Sequence, residues 1–230
     1  MEISVIVPTF NEELTIKKTL EALARLQNVS EVIVVDGGST DRTMEIVENF
    51  KEVKNLKLIR YGIANRGRQM NEGTRHAAHE IFWFIHADTR PVQGSGRQIK
   101  AFMRYKEVVG GSFEPVFAGN SRGARFLTRL YSALRKSGFI YGEAAIFARR
   151  ETYEKIKGFK PFSVFEDLDF CKRLRRRGRF VYINLPVTTS SRRFENRSFI
   201  WTVFKWSLRH GFYWAGVPVR LIAKKNKQLK

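Results

Sequence analysis

The chain has 230 residues, a hydrophobic content of 43% and a formal net charge of +20 at pH 7. These values exclude a disordered chain and allow one substantial hydrophobic core. The excess positive charge favours polyanionic partners, namely nucleic acid, an anionic membrane face or phosphorylated substrates, without choosing among them.

Compartment and membrane signals are sparse. The single cysteine, Cys171, cannot form an internal disulfide, which suits a reducing compartment and predicts a cytoplasmic protein. The N-terminus enters a predicted strand at once, so we expect no signal peptide. No uninterrupted apolar run approaches the ~18–20 residues that span a bilayer.

Strands and helices alternate in the first 90 residues. Short apolar runs predict strands at 3–7, 31–35, 56–60 and from Ile81 toward Asp88. Helical spacing predicts intervening helices at 14–26, 43–50 and 70–78, with Leu14 on the buried stripe of the first helix. This order is typical of an α/β fold with a mostly parallel central sheet and helices on both faces.

The second half has a less regular pattern. Strands are predicted at 108–113, 141–148 and 180–184, and helices near 93–105, at 122–136 and at 166–177. Neither a repeat nor a low-complexity linker is visible. The expected organisation is a catalytic domain over 1–197 and a basic, aromatic helical segment over 198–230.

Polar residues follow each predicted parallel strand and therefore meet at one rim of the sheet, where open α/β sheets bind ligands. They are residues 8–12, 36–41, 66–68 and Asp88. A carboxylate such as Asp88 at a strand end suits a divalent cation that carries phosphates. The alternative is that Asp88 only caps the next turn.

Two of these loops match phosphate or nucleotide binding. In the loop 36–41, the glycines let the backbone approach a ligand and Asp36 is an acceptor for a base or ribose, although Ser39 to Asp41 also suit a plain helix start. In the loop 66–68, arginines suit bidentate contacts with a diphosphate, or form a solvated basic surface.

The stretch Phe165-Glu166-Asp167-Leu168-Asp169 places three carboxylates at a predicted helix start. One or two of them favour the helix dipole and need no further function. A third raises the prospect of a general base, because neighbouring carboxylates raise the pKa of one another.

Arg192 and Arg193 lie in a run of arginines and hydroxyl residues, 190–197. This composition suits a loop that closes over a phosphate, or a solvated charge run.

Together these motifs resemble family 2 glycosyltransferases of the GT-A fold. The matching motifs are Val7-Pro8-Thr9-Phe10-Asn11-Glu12, Val35-Asp36-Gly37-Gly38-Ser39-Thr40-Asp41, His86-Ala87-Asp88 and Glu166-Asp167. The resemblance covers about the first 185 residues. The stretches Gly67-Arg68-Gln69-Met70-Asn71 and His86-Ala87-Asp88-Thr89 resemble an uncharacterised prokaryotic subgroup of that family.

The resemblance implies a nucleotide-binding set. Its members hold the base and ribose, or lie against the nucleotide: Pro8, Thr9, Glu12, Asp36, Gly67 and Arg68.

The resemblance also implies the chemistry. Asp88 is then the metal-binding acid of the DxD motif, and the expected cofactor is Mn²⁺ or Mg²⁺. Asp167 is the base that deprotonates the acceptor hydroxyl, with support from Glu166. The family inverts the anomeric centre by direct displacement.

Two departures from the family pattern matter. His86 replaces the first acid of DxD, so metal binding depends on Asp88, diphosphate oxygens and water. The Q-x-x-R-W motif of processive synthases is absent, which predicts a single transfer, and Arg192 and Arg193 lie where a C-terminal loop reaches the diphosphate.

The leading hypothesis is therefore a metal-assisted, inverting transferase that uses a nucleotide-diphosphate sugar. One alternative is a basic nucleic-acid-binding protein; against it, acidic residues concentrate at the strand ends and no nucleic-acid-binding signature is visible. The other is a sugar-nucleotide pyrophosphorylase; against it, residues 8–12 contain neither a Gly-rich loop nor a catalytic lysine.

The C-terminal segment combines aromatic residues over 199–208 with lysines over 224–230. Aromatic rings favour the bilayer interface, and lysines are attracted to anionic lipid. The hypothesis is peripheral contact with the inner membrane face and a lipid-linked acceptor. The alternative is that the apolar face of the segment covers the domain.

Overall fold

A computed structural model describes residues 1–119, 121–191, 208–213, 215, 217, 219 and 222. Its strands are β1 (Ile3–Thr9), β2 (Glu31–Asp36), β3 (Leu56–Arg60), β4 (Ile81–Phe84), β5 (Thr89–Pro91), β6 (Val108–Phe117), β7 (Phe147–Arg149) and β8 (Arg179–Thr189). Its helices are α1 (Ile16–Ala24), α2 (Thr43–Glu48), α3 (Arg66–His76), α4 (Ser95–Met103), α5 (Arg122–Lys136), α6 (Arg150–Lys155) and α7 (Glu166–Arg175), with a 3-10 turn at Gly142–Ala144.

One sheet contains all eight of these strands in the order β3-β2-β1-β4-β7-β6-β8-β5. The first four are parallel to one another, as their alternation with helices predicts. Strand β7 runs antiparallel to both of its neighbours, β6 and β8 are parallel, and β5 is antiparallel to β8. Four of these seven pairings are parallel, so the sheet is mixed and its parallel part is the N-terminal half.

The central strands are buried on both faces, which explains why their sequences are continuously apolar. In β4, Trp83 lies in one core cluster together with the buried side chains of α1. Phe82 and Phe84, on either side of Trp83 in the strand, lie in the core cluster on the other face of the sheet, with Met70 of α3 and Phe170 of α7. Helices therefore cover both faces of the sheet, as predicted.

Some local predictions were wrong. The predicted loop over 66–68 is the first turn of α3, which begins at Arg66. Leu14 is 71% exposed instead of buried, because α1 begins only at Ile16 and Leu14 precedes its first turn. The predicted strand over 141–148 is a 3-10 turn followed by the short strand β7, and Ala145 between them has a left-handed backbone with φ = 46°.

The described part of the C-terminal segment contacts the domain. Ile222 is buried in a cluster with Phe117 of β6 and Leu168 of α7, and Tyr213 and Val217 pack against the same cluster. Residues 192–207 and 223–230 lie outside the described residues. Within the described part of the chain, no helix is long and apolar enough to cross a bilayer.

Candidate functional site

The carboxyl ends of the parallel strands surround a small cavity of about 50 Å³. Among the predicted site residues, Pro8, Glu12 and Asp88 line it together. Arg66 and Glu143 line the same cavity from α3 and from the 3-10 turn. The rim predicted from the sequence therefore brings acids from both halves of the chain around one space.

Asp88 occupies the turn between β4 and β5 and is half-buried. The turn is closed by a 3.0 Å hydrogen bond from the backbone N–H of Thr89 to the carbonyl of His86. The side chain of Thr89 is buried and bonds Thr189 of β8, with a 3.2 Å distance between the hydroxyl oxygens. Two strands thus hold the loop that presents Asp88.

Asp88 supplies one carboxylate of the kind that a divalent cation binds. Among the described residues, no group of three or more His, Cys, Asp or Glu side chains is arranged to hold a metal ion. Mg²⁺ in phosphate chemistry commonly takes one or two carboxylates and completes its shell with phosphate oxygens and water. Asp88 therefore suits a site that is completed by a diphosphate.

Glu166 and Asp167 open α7 and are both buried. Oδ2 of Asp167 accepts a 2.5 Å hydrogen bond from the backbone N–H of Gly142, and its Oδ1 accepts one of 2.8 Å from the N–H of Leu168. Burial, followed by the charges of Glu166 and Glu143, raises the pKa of Asp167 well above its ordinary value. A carboxylate in this state is a stronger base than an exposed aspartate.

Arg66 is the counter-ion of this acid pair. Its Nη1 lies 3.2 Å from Oε1 of Glu166. Although burial opposes the charge, Glu166 and the neighbouring carboxylates hold the pKa of Arg66 above its ordinary value. The sequence motifs predicted Gly67 and Arg68 as nucleotide contacts. They did not predict that Arg66 pairs with Glu166.

A signal for Arg66 was present in the preceding residue. Asn65 caps α3, since its side-chain oxygen accepts a 2.9 Å hydrogen bond from the N–H of Arg68. Asparagine is a preferred N-cap, and an N-cap there makes Arg66 the first helical residue. Side chains two positions apart on a helix point in different directions, so Arg66 and Arg68 are expected to contact different groups.

Gly67 and Arg68 differ in their exposure to solvent. Gly67 is buried, and a β-carbon there would approach the carbonyl oxygen of Lys160 to 2.7 Å. The absence of a side chain thus lets α3 lie against the segment that precedes α7. Arg68 is exposed to solvent.

Thr9 and Asp36 lie at the ends of β1 and β2 and are 2% and 3% exposed. Asp36 accepts hydrogen bonds from the N–H groups of Gly38 (2.8 Å) and Ser39 (2.9 Å), and from the Ser39 hydroxyl at 2.5 Å. The hydroxyl of Thr9 lies 3.4 Å from Asp36. Asp36 therefore shapes the 36–41 loop, and its contact with a base or ribose stays a prediction, as do the nucleotide contacts of Gly67 and Arg68. Arg192 and Arg193 lie outside the described residues.

Phe165, immediately before the acid pair, has a left-handed backbone with φ = 62°. This conformation is a genuine outlier for a bulky residue and costs on the order of 1–3 kcal/mol. The ring is held by His210 and Tyr213, at centroid distances of 4.7 and 5.0 Å. Residues of the C-terminal segment therefore help to set the start of α7.

Further cavities are formed by the described residues. One of about 200 Å³ adjoins the site and shares Asp88 and Ser190 with it. Another, of about 810 Å³, lies on the outer face of α7 and is lined by apolar and basic side chains. A cavity of about 410 Å³ beside α3 and α6 contains none of the predicted site residues.

The model of glycosyl transferase family 2 matches residues 4–180, which include the acid pair and the cavity residues from Pro8 to Glu143. The chain belongs to glycosyltransferase family 2. An archaeal relative, the dolichyl N-acetyl-α-D-glucosaminyl phosphate 3-β-D-2,3-diacetamido-2,3-dideoxy-β-D-glucuronosyltransferase of Methanococcus voltae, is 25% identical and aligns with 91% of this chain and 71% of its own length. The poly(ribitol-phosphate) β-N-acetylglucosaminyltransferase TarS of Staphylococcus aureus is 37% identical over 38% of this chain and 16% of its own.

Solved structures confirm the GT-A fold of this family 2 chain. The mannosyltransferase PcManGT from Pyrobaculum calidifontis, in complex with GDP-Man and Mn²⁺, has a TM-score of 0.69 at 22% identity and covers 93% of this chain. TarS 1–349 from S. aureus, in complex with UDP-GlcNAc, has a TM-score of 0.68 at 21% identity and covers 87%. The chain spans 64% and 61% of these two structures.

The family assignment decides among the three functional hypotheses. Curated relatives and structural neighbours are glycosyltransferases, as the motifs in this chain predicted. They support neither a nucleic-acid-binding protein nor a sugar-nucleotide pyrophosphorylase. This family 2 chain is thus an enzyme of glycosyl transfer.

Proposed function

We propose that this glycosyltransferase moves one sugar from a nucleotide-diphosphate sugar to an acceptor hydroxyl, with inversion and with a divalent cation. One observation carries the proposal: a single cavity at the strand ends brings together Asp88 and Glu143, and its Arg66 is paired with the buried acid Glu166. Binding of the anionic leaving group and removal of the acceptor proton then occur at adjacent positions.

Asp167 is the proposed base. It takes the proton of the acceptor hydroxyl while the acceptor oxygen forms a bond to the anomeric carbon. The bond from that carbon to the diphosphate breaks, and the electron pair leaves with the diphosphate. The raised pKa of Asp167 increases its affinity for the proton, and Arg66 compensates the charge of the adjacent Glu166.

Asp88 is the proposed holder of the divalent cation, together with diphosphate oxygens. When bound, the cation neutralises charge on the leaving diphosphate. The neighbour PcManGT was solved with both a nucleotide sugar and Mn²⁺, which supports this part of the proposal.

The nucleoside of the donor is assigned to the rim formed by β1, β2 and α3. Pro8 and Glu12 line the cavity. Asp36 ends β2, which is next to β1 in the sheet, so the loop that follows Asp36 lies at the same rim. Arg68 is exposed at the start of α3, where a guanidinium is available to a ligand. Arg192 and Arg193 are assigned to closure over the diphosphate on the basis of their sequence pattern alone.

We further propose a lipid-linked acceptor and peripheral contact with the inner membrane face. The cavity of about 810 Å³ beside α7 is lined by apolar side chains such as Phe139 and Val217 and by basic ones such as Lys172 and Arg176. Its acidic side chain, Asp169, is paired with Lys160 and Arg173. That combination suits an amphiphile with an anionic group. Leu208 and Phe212 of the C-terminal segment are 50% and 39% exposed, and the name of the M. voltae relative specifies a dolichyl phosphate-linked acceptor.

A thermal-shift screen of nucleotide sugars, with and without Mn²⁺ or Mg²⁺, tests the donor part. Binding stabilises the native state by RT ln(1 + [L]/Kd), so the correct donor raises the melting temperature only when the cation is present. If no nucleotide sugar raises the melting temperature with either cation, the proposed donor class is wrong.

Vesicle sedimentation tests the membrane part separately. The protein should sediment with anionic vesicles at low salt, and binding should fall with added salt or after removal of residues 224–230. If the intact protein stays in the supernatant with anionic vesicles at low salt, a soluble acceptor replaces the lipid-linked one.

A further inference from the structure

The cavity of about 200 Å³ beside the site differs from its neighbour in charge. Its basic side chains are Lys18 and Arg90, and Asp88 is its one acidic side chain among the described residues. The site cavity, in contrast, contains Glu12, Asp88 and Glu143 around a single arginine. The acidic site cavity and the basic cavity therefore adjoin each other at Asp88.

Neither Lys18 nor Arg90 has a partner in the described part of the chain, where no ion pair or side-chain hydrogen bond to them is present. Arg66, the arginine of the site cavity, is already paired with Glu166 at 3.2 Å. Of the described cations that line the two cavities, only Lys18 and Arg90 are available to an anionic ligand.

Arg90 is well positioned for this role. It lies in β5, where its Cα is opposite that of Thr188 in β8, so its backbone is fixed by the sheet. The intervening Thr89 is fully buried, whereas Asp88 and Arg90 on either side of it both line the cavity. Arg90 therefore faces the same space as the proposed cation ligand.

We propose that Lys18 and Arg90 bind the diphosphate of the donor and stabilise it as it leaves. The inference rests on the proposed function. His86 replaces the first acid of the DxD motif. A cation with Asp88 as its one carboxylate from this motif relies more on its substrate ligands. Additional positive charge from the protein is then needed to fix the diphosphate. A guanidinium matches phosphate oxygens in a bidentate manner, and charge fixed in place before reaction stabilises a developing anion.

Calorimetric titration of nucleoside diphosphates tests the assignment. UDP, GDP, ADP, CDP and dTDP are titrated with Mn²⁺ into the parent protein, and the tightest binder is then titrated into Arg90→Gln and Lys18→Gln. Each variant should lose roughly 10–100-fold in affinity, the range expected for a lost hydrogen bond to a charged group. Lys17→Gln and Arg97→Gln are matched controls, because both side chains are exposed and neither lines the cavity.

The possible outcomes separate this assignment from the proposed function. If both Arg90→Gln and Lys18→Gln bind the diphosphate within twofold of the parent, the assignment is wrong and the proposed function is untouched. Unchanged diphosphate affinity with an increased KM for the acceptor would assign the two cations to an anionic acceptor group instead. A folded parent that binds none of the five diphosphates rejects the proposed function and this assignment with it. Because Lys18 is exposed, its variant remains informative even if Arg90→Gln fails to fold.

Discussion

The backbone N–H of Gly142 donates a 2.5 Å hydrogen bond to Oδ2 of Asp167, and the same glycine lies directly against the ring of His86. A β-carbon at position 142 would come within 2.2 Å of Nε2 of His86. The 3-10 turn thus connects the loop that carries Asp88 with the helix that carries the proposed base, and the connection leaves no room for a side chain.

Gly142→Ala should therefore disturb both loops. The added methyl group overlaps the ring of His86, so the ring and the turn must move apart. We expect this movement to weaken the hydrogen bond to Asp167, at a cost of about 1–3 kcal/mol. We expect donor turnover to fall by about tenfold or more in a folded protein, as measured by nucleoside diphosphate release. His86→Ala makes room for the methyl group, so the double variant His86→Ala/Gly142→Ala should exceed the turnover expected from adding the two single effects. Parental turnover in Gly142→Ala would show that the turn is not needed to set the base.

Asp167→Asn should retain donor affinity and lower turnover by about 10²–10⁴-fold, the usual contribution of a general base. The matched control is Glu166→Gln, which removes a neighbouring buried carboxylate and should be less harmful to turnover. Single-turnover kinetics and calorimetry separate the two effects. A near-parental rate in Asp167→Asn would remove this residue from the reaction.

Replacement of Arg66 should move the pH profile of the reaction toward higher pH. The charge of Arg66 lowers the pKa of Asp167, so Arg66→Gln raises that pKa, and a base with a higher pKa is protonated over more of the acidic range. We expect the acid limb of the kcat/KM profile to shift toward higher pH by about 1–3 units, the typical effect of one adjacent opposite charge. Arg66→Lys keeps the charge and should move it less; equal profiles in all three proteins would contradict the ion-pair assignment.

The pH dependence of stability should report Asp167 independently of catalysis. Its pKa is raised in the folded state, so between the ordinary value of about 4 and the raised value the folded protein holds more protons than the unfolded one. Its contribution to stability is therefore complete below about pH 4 and is lost as the pH rises through the raised pKa. The stability of Asp167→Asn relative to the parent should grow by on the order of 2 kcal/mol or more from pH 4 to pH 9, as measured by urea unfolding. A difference that is constant with pH would mean that Asp167 is an ordinary carboxyl.

Asp88→Asn should remove the effect of the cation on donor binding. The amide keeps the shape of the side chain but loses the charge that a hard cation requires. We expect Mn²⁺ to increase the nucleotide-sugar affinity of the parent and of Glu52→Gln, whose replaced side chain is exposed and distant in sequence, but not that of Asp88→Asn. Calorimetry with and without Mn²⁺ decides the matter, and equal cation dependence in Asp88→Asn would show that the metal assignment is wrong.

The N-terminal half of the fold could be predicted because local signals and tertiary structure agree there. Each parallel strand has a mostly apolar sequence and is followed by polar residues, so the strand ends and the rim could be assigned without knowing the packing. The bounds of β3 agree with the prediction, at Leu56–Arg60, as do those of α5 in the second half, at Arg122–Lys136.

The remaining errors arise where tertiary contacts override local pattern. The apolar stretch 141–148 has the composition of a strand, but contact with His86 and the hydrogen bond to Asp167 make its first part a 3-10 turn. Arg66 pairs with Glu166, which is 100 residues away, so the local signal from Asn65 gives the start of α3 but not the partner of Arg66. Leu14 matches the helical period of α1 but precedes the N-cap, and the period alone does not locate a helix start.

The span of 100 residues between Arg66 and Glu166 has a consequence for biosynthesis. At elongation rates of about 5–20 residues per second, the ribosome needs roughly 5–20 s to make the intervening chain. During that interval the guanidinium of Arg66 has no carboxylate of α7 to pair with, although β1, which carries Pro8, is already synthesised. The ion pair that offsets the mutual repulsion of Glu166 and Asp167 therefore forms only after the second half of the domain has been made.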